Sequence, residues 1–330
     1  MRILIEEYQY DYEDVYDVLK GLGVLQDVEG KVSLSYVGYY FNDDPIVNDC
    51  VFILPKVLLE GEVGKEKVFG HVEPKELINA DKCIPLTSEE HTFIYNLSVW
   101  IYRAITVFRD HEFDRMDGKK QPSIVLYKKA PMMGHTKRRK ANTFLDVLLA
   151  LQEWNKKNES FVMFIVKNLH SGYNKINWSR TLSRSQAVVQ EITGGSRRQD
   201  VSYLNPINKK RQINFDEELL VIYFSILQHI HDKYGFPVSI NVNFPLVRGD
   251  KFARYINGFG KRRLKQIKYK YYSDKALELW ELCYAFFDRP DSVMLNIDQR
   301  EYLLVKSFHI VFEAIIDELI AGDQKLPKDL

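Results

Sequence analysis

Three groups of cations carry most of the chemistry this sequence could do. The first is Lys128-Lys129 followed by Lys137-Arg138-Arg139-Lys140, flanking Pro131-Met132-Met133-Gly134 with no acid among them. Such a run sets up a local field that could meet DNA phosphates, a nucleotide or a docking partner; its plain alternative is a solvated loop. The second lies between residues 251 and 272. There Arg254, Lys261, Arg262, Arg263, Lys265 and Lys268 alternate with Tyr255, Phe259, Tyr269, Tyr271 and Tyr272, again without an acid. Cations among rings suit a nucleic-acid backbone, with rings available to stack on splayed bases. The alternative is a surface helix whose tyrosines pack inward. The third is smaller: Lys175 and Arg180, with Arg184, surround Trp178. Here the reading is phosphate-facing cations beside a tryptophan that packs in the core or between domains.

Carboxylates placed for metal chemistry are scarcer. Asp291 with Asp323-Gln324-Lys325 fits the bare acid–acid–lysine pattern of metal-dependent nucleases, in which metals activate water and stabilise charge on the phosphate. Asp323 follows Gly322 in a polar stretch, without the apolar strand such a site needs. Glu73-Pro74-Lys75 fails because proline breaks a strand. Glu313, among apolar neighbours on a helix, is the one candidate metal-site carboxylate; otherwise it is a solvated glutamate. Cys50, Cys83 and Cys283 form no CxxC pair, which argues against zinc. His229 and His231 are two apart and do not share a helix face. Gly194-Gly195-Ser196-Arg197-Arg198 lacks the lysine of a P-loop.

The elements that must position these groups follow from periodicity. Lys31–Val37 alternates with period two, and Val51–Leu54 is an apolar run ended by Pro55, so both read as strands. Tyr12–Leu19 reads as a short helix, and residues 61–86 as a loop or hairpin insertion. Ser88 opens a helix to about Phe108, with Phe93, Leu97, Trp100, Ile101, Ala104 and Val107 on its apolar face. Ser123–Tyr127 reads as a strand, Thr143 as the cap of a helix to Trp154, and Phe161–Val166 as a buried strand. Residues 192–214 are rich in Gly, Ser and Asn and read as a loop. Asp216 opens a helix that stops at Gly235-Phe236-Pro237. Val238–Val242 alternates again. Ser273–Phe287 and Arg300–Ile320 read as the last two helices.

The class is therefore α+β: a β-rich N-terminal domain over residues 1–141 with a finger-like insertion, a mixed central domain with a basic surface over 142–272, and a helical segment over 273–330. The chain has 330 residues, 45% of them hydrophobic, which is enough for sizeable cores. Its net charge of +1 selects no partner by itself. An acidic N-terminus and no apolar run near ~20 residues lead to the expectation of a cytoplasmic protein that does not span a membrane.

Several blocks together carry a resemblance. Gly172-Tyr173-Asn174-Lys175-Ile176-Asn177-Trp178-Ser179-Arg180-Thr181, the acidic helix start Asp216–Leu220, Gly258-Phe259-Gly260 with Ile267–Tyr271, and Phe308–Leu319 resemble segments of the LlaJI-type restriction endonuclease family. The resemblance covers roughly residues 160–330. It implies a McrC-like subunit that docks on an AAA+ GTPase partner (McrB-like) and couples it to cleavage of DNA. It also implies a nuclease domain of the PD-(D/E)xK kind that uses Mg2+. No convincing copy of that motif is present, so the expectation is a chain that stops short of the nuclease strands, binds no cofactor of its own and does not cleave alone. Lys128, Lys129, Lys137, Arg138, Arg139 and Lys140 are then the expected partner contacts. A free-standing DNA-binding module and an autonomous Mg2+-dependent nuclease are the alternatives.

Overall fold

The N-terminal strands are apolar on both faces, and that requirement organises the molecule. The structure is a computed structural model and describes residues 1–11, 13, 15, 19, 24–28, 30–43, 48–62, 64–78, 88–115, 124–128, 143–170, 175–192, 198–288 and 300–323. The first strands are β1 (Arg2–Ile5), β2 (Tyr10–Asp11), β3 (Leu25–Val28), β4 (Lys31–Leu34), β5 (Tyr36–Asp43) and β6 (Asn48–Leu54). A short hairpin, β7 (Leu59–Glu60) with β8 (Lys67–Val68), and a short helix α1 (Pro74–Ile78) follow within the expected insertion. Of the expected helix over Tyr12–Leu19, only residues 13, 15 and 19 are described, all helical.

Helix α2 (Ser88–Arg115) leads to strand β9 (Val125–Lys128) and helix α3 (Phe144–Lys157). Next come β10 (Phe164–Leu169), helix α4 (Trp178–Arg184), β11 (Ala187–Ile192), β12 (Arg198–Tyr203) and β13 (Asn208–Ile213). The rest is helical apart from one strand: α5 (Glu218–Tyr234), α6 (Asp250–Arg254), α7 (Gly260–Ile267), α8 (Asp274–Phe287), β14 (Glu301–Lys306) and α9 (Phe308–Asp323). The fold is α+β, strand-rich first and helical later.

The main sheet has five strands in the order β1-β6-β5-β14-β9. β1 runs parallel to β6, and the other neighbours are antiparallel. Alternate residues sort to two cores. Ile3, Ile5, Val37, Tyr39, Phe41, Phe52, Leu54, Leu303 and Val305 face the helices. Leu4, Tyr40, Val51, Ile53 and Leu304 face the other way, onto a second cluster that holds Tyr10 and Leu34 of the small sheet β2-β4-β3. Gly38 lets β5 and β14 approach: with φ of 145°, a Cβ there would lie 2.1 Å from the Leu303 carbonyl oxygen.

Two expectations need correcting. Arg300–Ile320 is not one helix. Its first part is β14, and that strand sits between β5 and β9, so segments from both ends of the chain share one sheet. One core cluster of buried residues runs from Met1 through α3, α5 and α8 to Val311. The second correction concerns α2. It extends to Arg115, and its buried side carries Ile94, Tyr95, Ser98, Ile101, Tyr102 and Ile105, whereas Phe93, Trp100 and Val107 are exposed. Tyrosines at 95 and 102 bury well because their hydroxyls find partners, Gln152 for Tyr95 and Asp146 for Tyr102.

Candidate nucleic-acid interface

The chain between α3 and α5 leaves the core as an arm. At its root the Asn214 N–H donates to the Met163 carbonyl at 2.8 Å. From there β10 and β13 form an antiparallel two-stranded ribbon, in register Phe164↔Ile213 through Leu169↔Asn208. The strand expected at Phe161–Val166 exists but is not buried: Phe164, Ile165, Val166 and Lys167 are all exposed. Beyond the ribbon lies α4, and then a second hairpin, β11 with β12. Residues 192–214, anticipated as a loop, supply β12 and β13 instead.

The register brings cations together. Lys167 lies directly opposite Lys210, and Arg211 of the same strand places its guanidinium 3.9 Å from the Phe164 ring centroid. Directly opposed like charges on a ribbon are destabilising. Between residues 164 and 213 there are nine Lys or Arg and two Asp or Glu, while the whole chain carries only +1. Lys167, Lys175, Arg180, Arg184, Lys209, Lys210 and Arg211 are solvent-exposed. An anionic surface laid along the arm would relieve the repulsion that the ribbon carries by itself.

Helix α4 is fixed to the ribbon by its backbone. The Asn177 N–H donates to the Ile207 carbonyl at 2.7 Å, and the Lys209 N–H donates to the Lys175 carbonyl at 2.7 Å. The Asn177 side-chain amide donates to Asn168 at 2.9 Å, and the Thr181 hydroxyl accepts from the Ile207 N–H at 3.0 Å. Asn177 and Thr181 are thus the buried residues of the Ile176–Thr181 block. Trp178, expected to pack in the core or between domains, is 57% exposed. The anchoring residues face the ribbon, so the helix geometry turns Trp178 and Leu182, one turn apart, away from it.

The second cationic group behaves differently. Within 251–272 the chain turns through α6, a kink at Asn257-Gly258 and α7. Arg263 is spent on Glu218 of α5, and Lys261 on Asp288, which is 2% exposed. Lys268 sits 4.2 Å over the Trp280 ring, and Lys265 lies 5.9 Å from the Tyr284 ring of α8. Tyr271 donates to Glu217 at 2.8 Å. The acidic start of α5 and the basic tract are therefore partners of one another. Arg254 and Arg262 are exposed and remain candidates for a phosphate. Tyr269 and Tyr272 are exposed, whereas Tyr271 is buried.

Among the described residues Glu313 is not part of a cluster of potential metal ligands. That residue is exposed on α9, and among the described residues no group of three or more His, Cys, Asp or Glu could hold a metal. Asp291 and Lys325, and of the first cationic group Lys129, Lys137, Arg138, Arg139 and Lys140, lie outside the described residues. Lys128 ends β9, where it pairs in register with Tyr302.

No family model, no curated protein and no solved structure matches this chain.

One carboxylate has a distinctive environment, and it is one that sequence reasoning passed over. Glu301 is fully buried at the start of β14. It accepts from the Phe144 and Leu145 N–H groups at 2.7 and 3.2 Å, and from the Tyr39 hydroxyl at 2.9 Å. Those N–H groups open α3, where Thr143 and Asp146 form a capping box. A carboxylate at a helix N-terminus is favoured by the dipole. Burial holds the Tyr39 hydroxyl far above its usual range, with Glu301 adding to it; for Tyr102 burial again leads, followed by Asp146. These groups consume one another's hydrogen bonds and tie the sheet to α3, which makes the cluster structural. Sequence could not have found it, because Glu301 and Phe144 are 157 residues apart.

Among the described residues no helix is long and apolar enough to cross a membrane.

Proposed function

We propose that this chain is the DNA-contacting, non-motor subunit of a restriction system of the McrC-like kind, with the arm at residues 164–213 as its nucleic-acid contact. The observation that carries the DNA part is the opposed pair Lys167↔Lys210, flanked by Lys209 and Arg211, on a ribbon exposed on both faces. Cations spaced along a ribbon suit phosphates, and backbone contacts of that type position a protein without reading sequence. The AAA+ GTPase partner and its coupling to DNA cleavage rest on the resemblance of the Gly172–Thr181 and Phe308–Leu319 segments. Mg2+ would belong to the nuclease of that assembly. No step is assigned to Glu313, which belongs to no group of three or more potential metal ligands among the described residues.

Binding of the whole chain to labelled duplex, measured by fluorescence anisotropy across a salt series, tests the first part. Saturable binding that weakens steeply with salt supports it, and no binding at low salt overturns it. Co-purification with a co-expressed AAA+ GTPase of the McrB-like kind tests the second. Absence of a complex would leave a free-standing DNA-binding module.

A further inference from the structure

Trp178 is the largest apolar side chain on the arm, and it is 57% exposed. Its ring meets Tyr203 edge-on, with centroids 6.4 Å apart and planes at 72°. Leu182, one helical turn further along α4, is 59% exposed. On the distal hairpin Val189 and Val201 lie directly opposite each other, and both are more than half exposed. In register, Ala187↔Tyr203 and Val189↔Val201 share one face of that hairpin. The contact between Trp178 and Tyr203 joins this face to α4. The result is an aromatic and aliphatic strip whose tryptophan is more than half exposed, and apolar strips of this sort mark interaction sites.

Charge identifies what fits there. Lys175, Arg180 and Arg184 are exposed within two turns of Trp178, and the arm as a whole is strongly cationic. The hydrogen bonds of Asn177 and Thr181 hold the ring's backbone in place, so little conformational freedom is lost when something stacks on it. A protein partner of this strip would have to bring acids to the cations and a flat apolar group to the ring. A nucleotide brings both. In a duplex the base faces are already stacked, and inserting a ring between base pairs costs unstacking energy. An unpaired base offers its face freely, and base–aromatic stacking tolerates any sequence.

We infer that the Trp178–Tyr203 platform is a stacking site for an unpaired base, so that the arm takes single-stranded nucleic acid with Lys175, Arg180 and Arg184 on its phosphates. The inference rests on the proposed nucleic-acid role of the arm and adds the class of strand it prefers.

The test compares an oligothymidylate of roughly 16 nucleotides with a duplex of the same length, using the full chain and the variants Trp178→Ala and Trp178→Phe. Circular dichroism of each variant should match the parent, because the side chain is exposed. Trp178→Ala is expected to weaken the single strand roughly 10- to 100-fold. Trp178→Phe should keep most of the affinity, and duplex binding should change less than about twofold. Binding to duplex alone, an equal loss on both substrates, an equal loss in the phenylalanine variant, or no loss in either variant overturns the inference and leaves the arm's backbone role standing. Failure of the unaltered chain to bind either substrate overturns both. Quenching of tryptophan fluorescence by the oligonucleotide, absent in Trp178→Phe, is the expected signature of the stack.

Discussion

Arg263 holds Glu218 with two parallel hydrogen bonds, Nε to Oε1 and Nη2 to Oε2, the second at 2.9 Å. The fork joins α7 to the first turn of α5, across 45 residues of sequence. Its Nη1 donates to Gln266 at 3.1 Å, so each guanidinium nitrogen is engaged. A side chain committed in this way is poorly placed to meet DNA. Arg263→Ala is expected to lower the melting temperature, while the slope of log affinity against log salt shifts by less than about one unit. Loss of slope without loss of stability would return Arg263 to the DNA surface.

Gly38 is the tightest point of the main sheet. A Cβ at this position meets the Leu303 carbonyl oxygen at 2.1 Å, and the atom it meets is backbone. Gly38→Ala must therefore push β5 and β14 apart, in addition to straining a φ of 145°. The expected cost is about 3 kcal/mol or more, read as a fall in the urea midpoint. A midpoint within error of the parent would mean that β14 does not pair there.

Glu301 offers a check on how the C-terminal strand is tied to the middle of the chain. Glu301→Ala strips two acceptors from the first N–H groups of α3 and leaves the buried Tyr39 hydroxyl unpaired. The expected loss is about 3 kcal/mol. Tyr39→Phe removes only one donor, and its cost is expected to be about 1 kcal/mol. Chemical denaturation of both variants checks the order, and a larger effect in Tyr39→Phe would contradict the assignment.

Glu6 gives a pH dependence with a definite sign. It is 8% exposed, and burial raises its pKa, opposed by the Lys56 N–H. A carboxyl whose folded value is raised contributes stability that is fully present below its unfolded value. That contribution is lost as pH rises through the folded value. Glu6→Gln should therefore be more stable than the parent at pH 7, and the advantage should vanish below about pH 4. Melting curves of the two proteins at both pH values decide it, and a Gln variant less stable at pH 7 would contradict the sign.

Much of the local structure is legible in the sequence, for reasons visible at particular residues. Thr143 with Asp146 announces the start of α3, and Gly235, at a φ of 67°, closes α5. The run Val51–Leu54 falls within β6, whereas the strand expected at Lys31–Val37 is divided between β4 and the start of β5, which belong to different sheets. The misreadings share a cause, which is that the deciding contact is remote. Leu303-Leu304-Val305 is buried on both faces, and a short run of that kind fits a helix as well as a strand. β12 and β13 carry polar residues because their hairpins cover no core, so nothing in their pattern distinguishes them from loop. Lys167 faces Lys210 only through a register set 43 residues away. The arm's cations were thus partly visible as Lys175 and Arg180, while the ribbon that aligns the others was not. The acidic partners of Lys261 and Arg263 in the tract at 251–272, Asp288 and Glu218, are likewise remote in sequence.

The most direct measurement of the account is the salt dependence of duplex binding in two variant chains. One carries Lys167→Gln, Lys209→Gln, Lys210→Gln and Arg211→Gln in the arm; the other carries Arg262→Ala, Arg263→Ala and Lys265→Ala. Each phosphate contact contributes about −0.9 to the slope of log affinity against log salt on duplex DNA. The arm variant is expected to flatten the slope by roughly two to three units, and the second variant to move it by no more than about one. A slope unchanged in the arm variant and flattened in the other would contradict it.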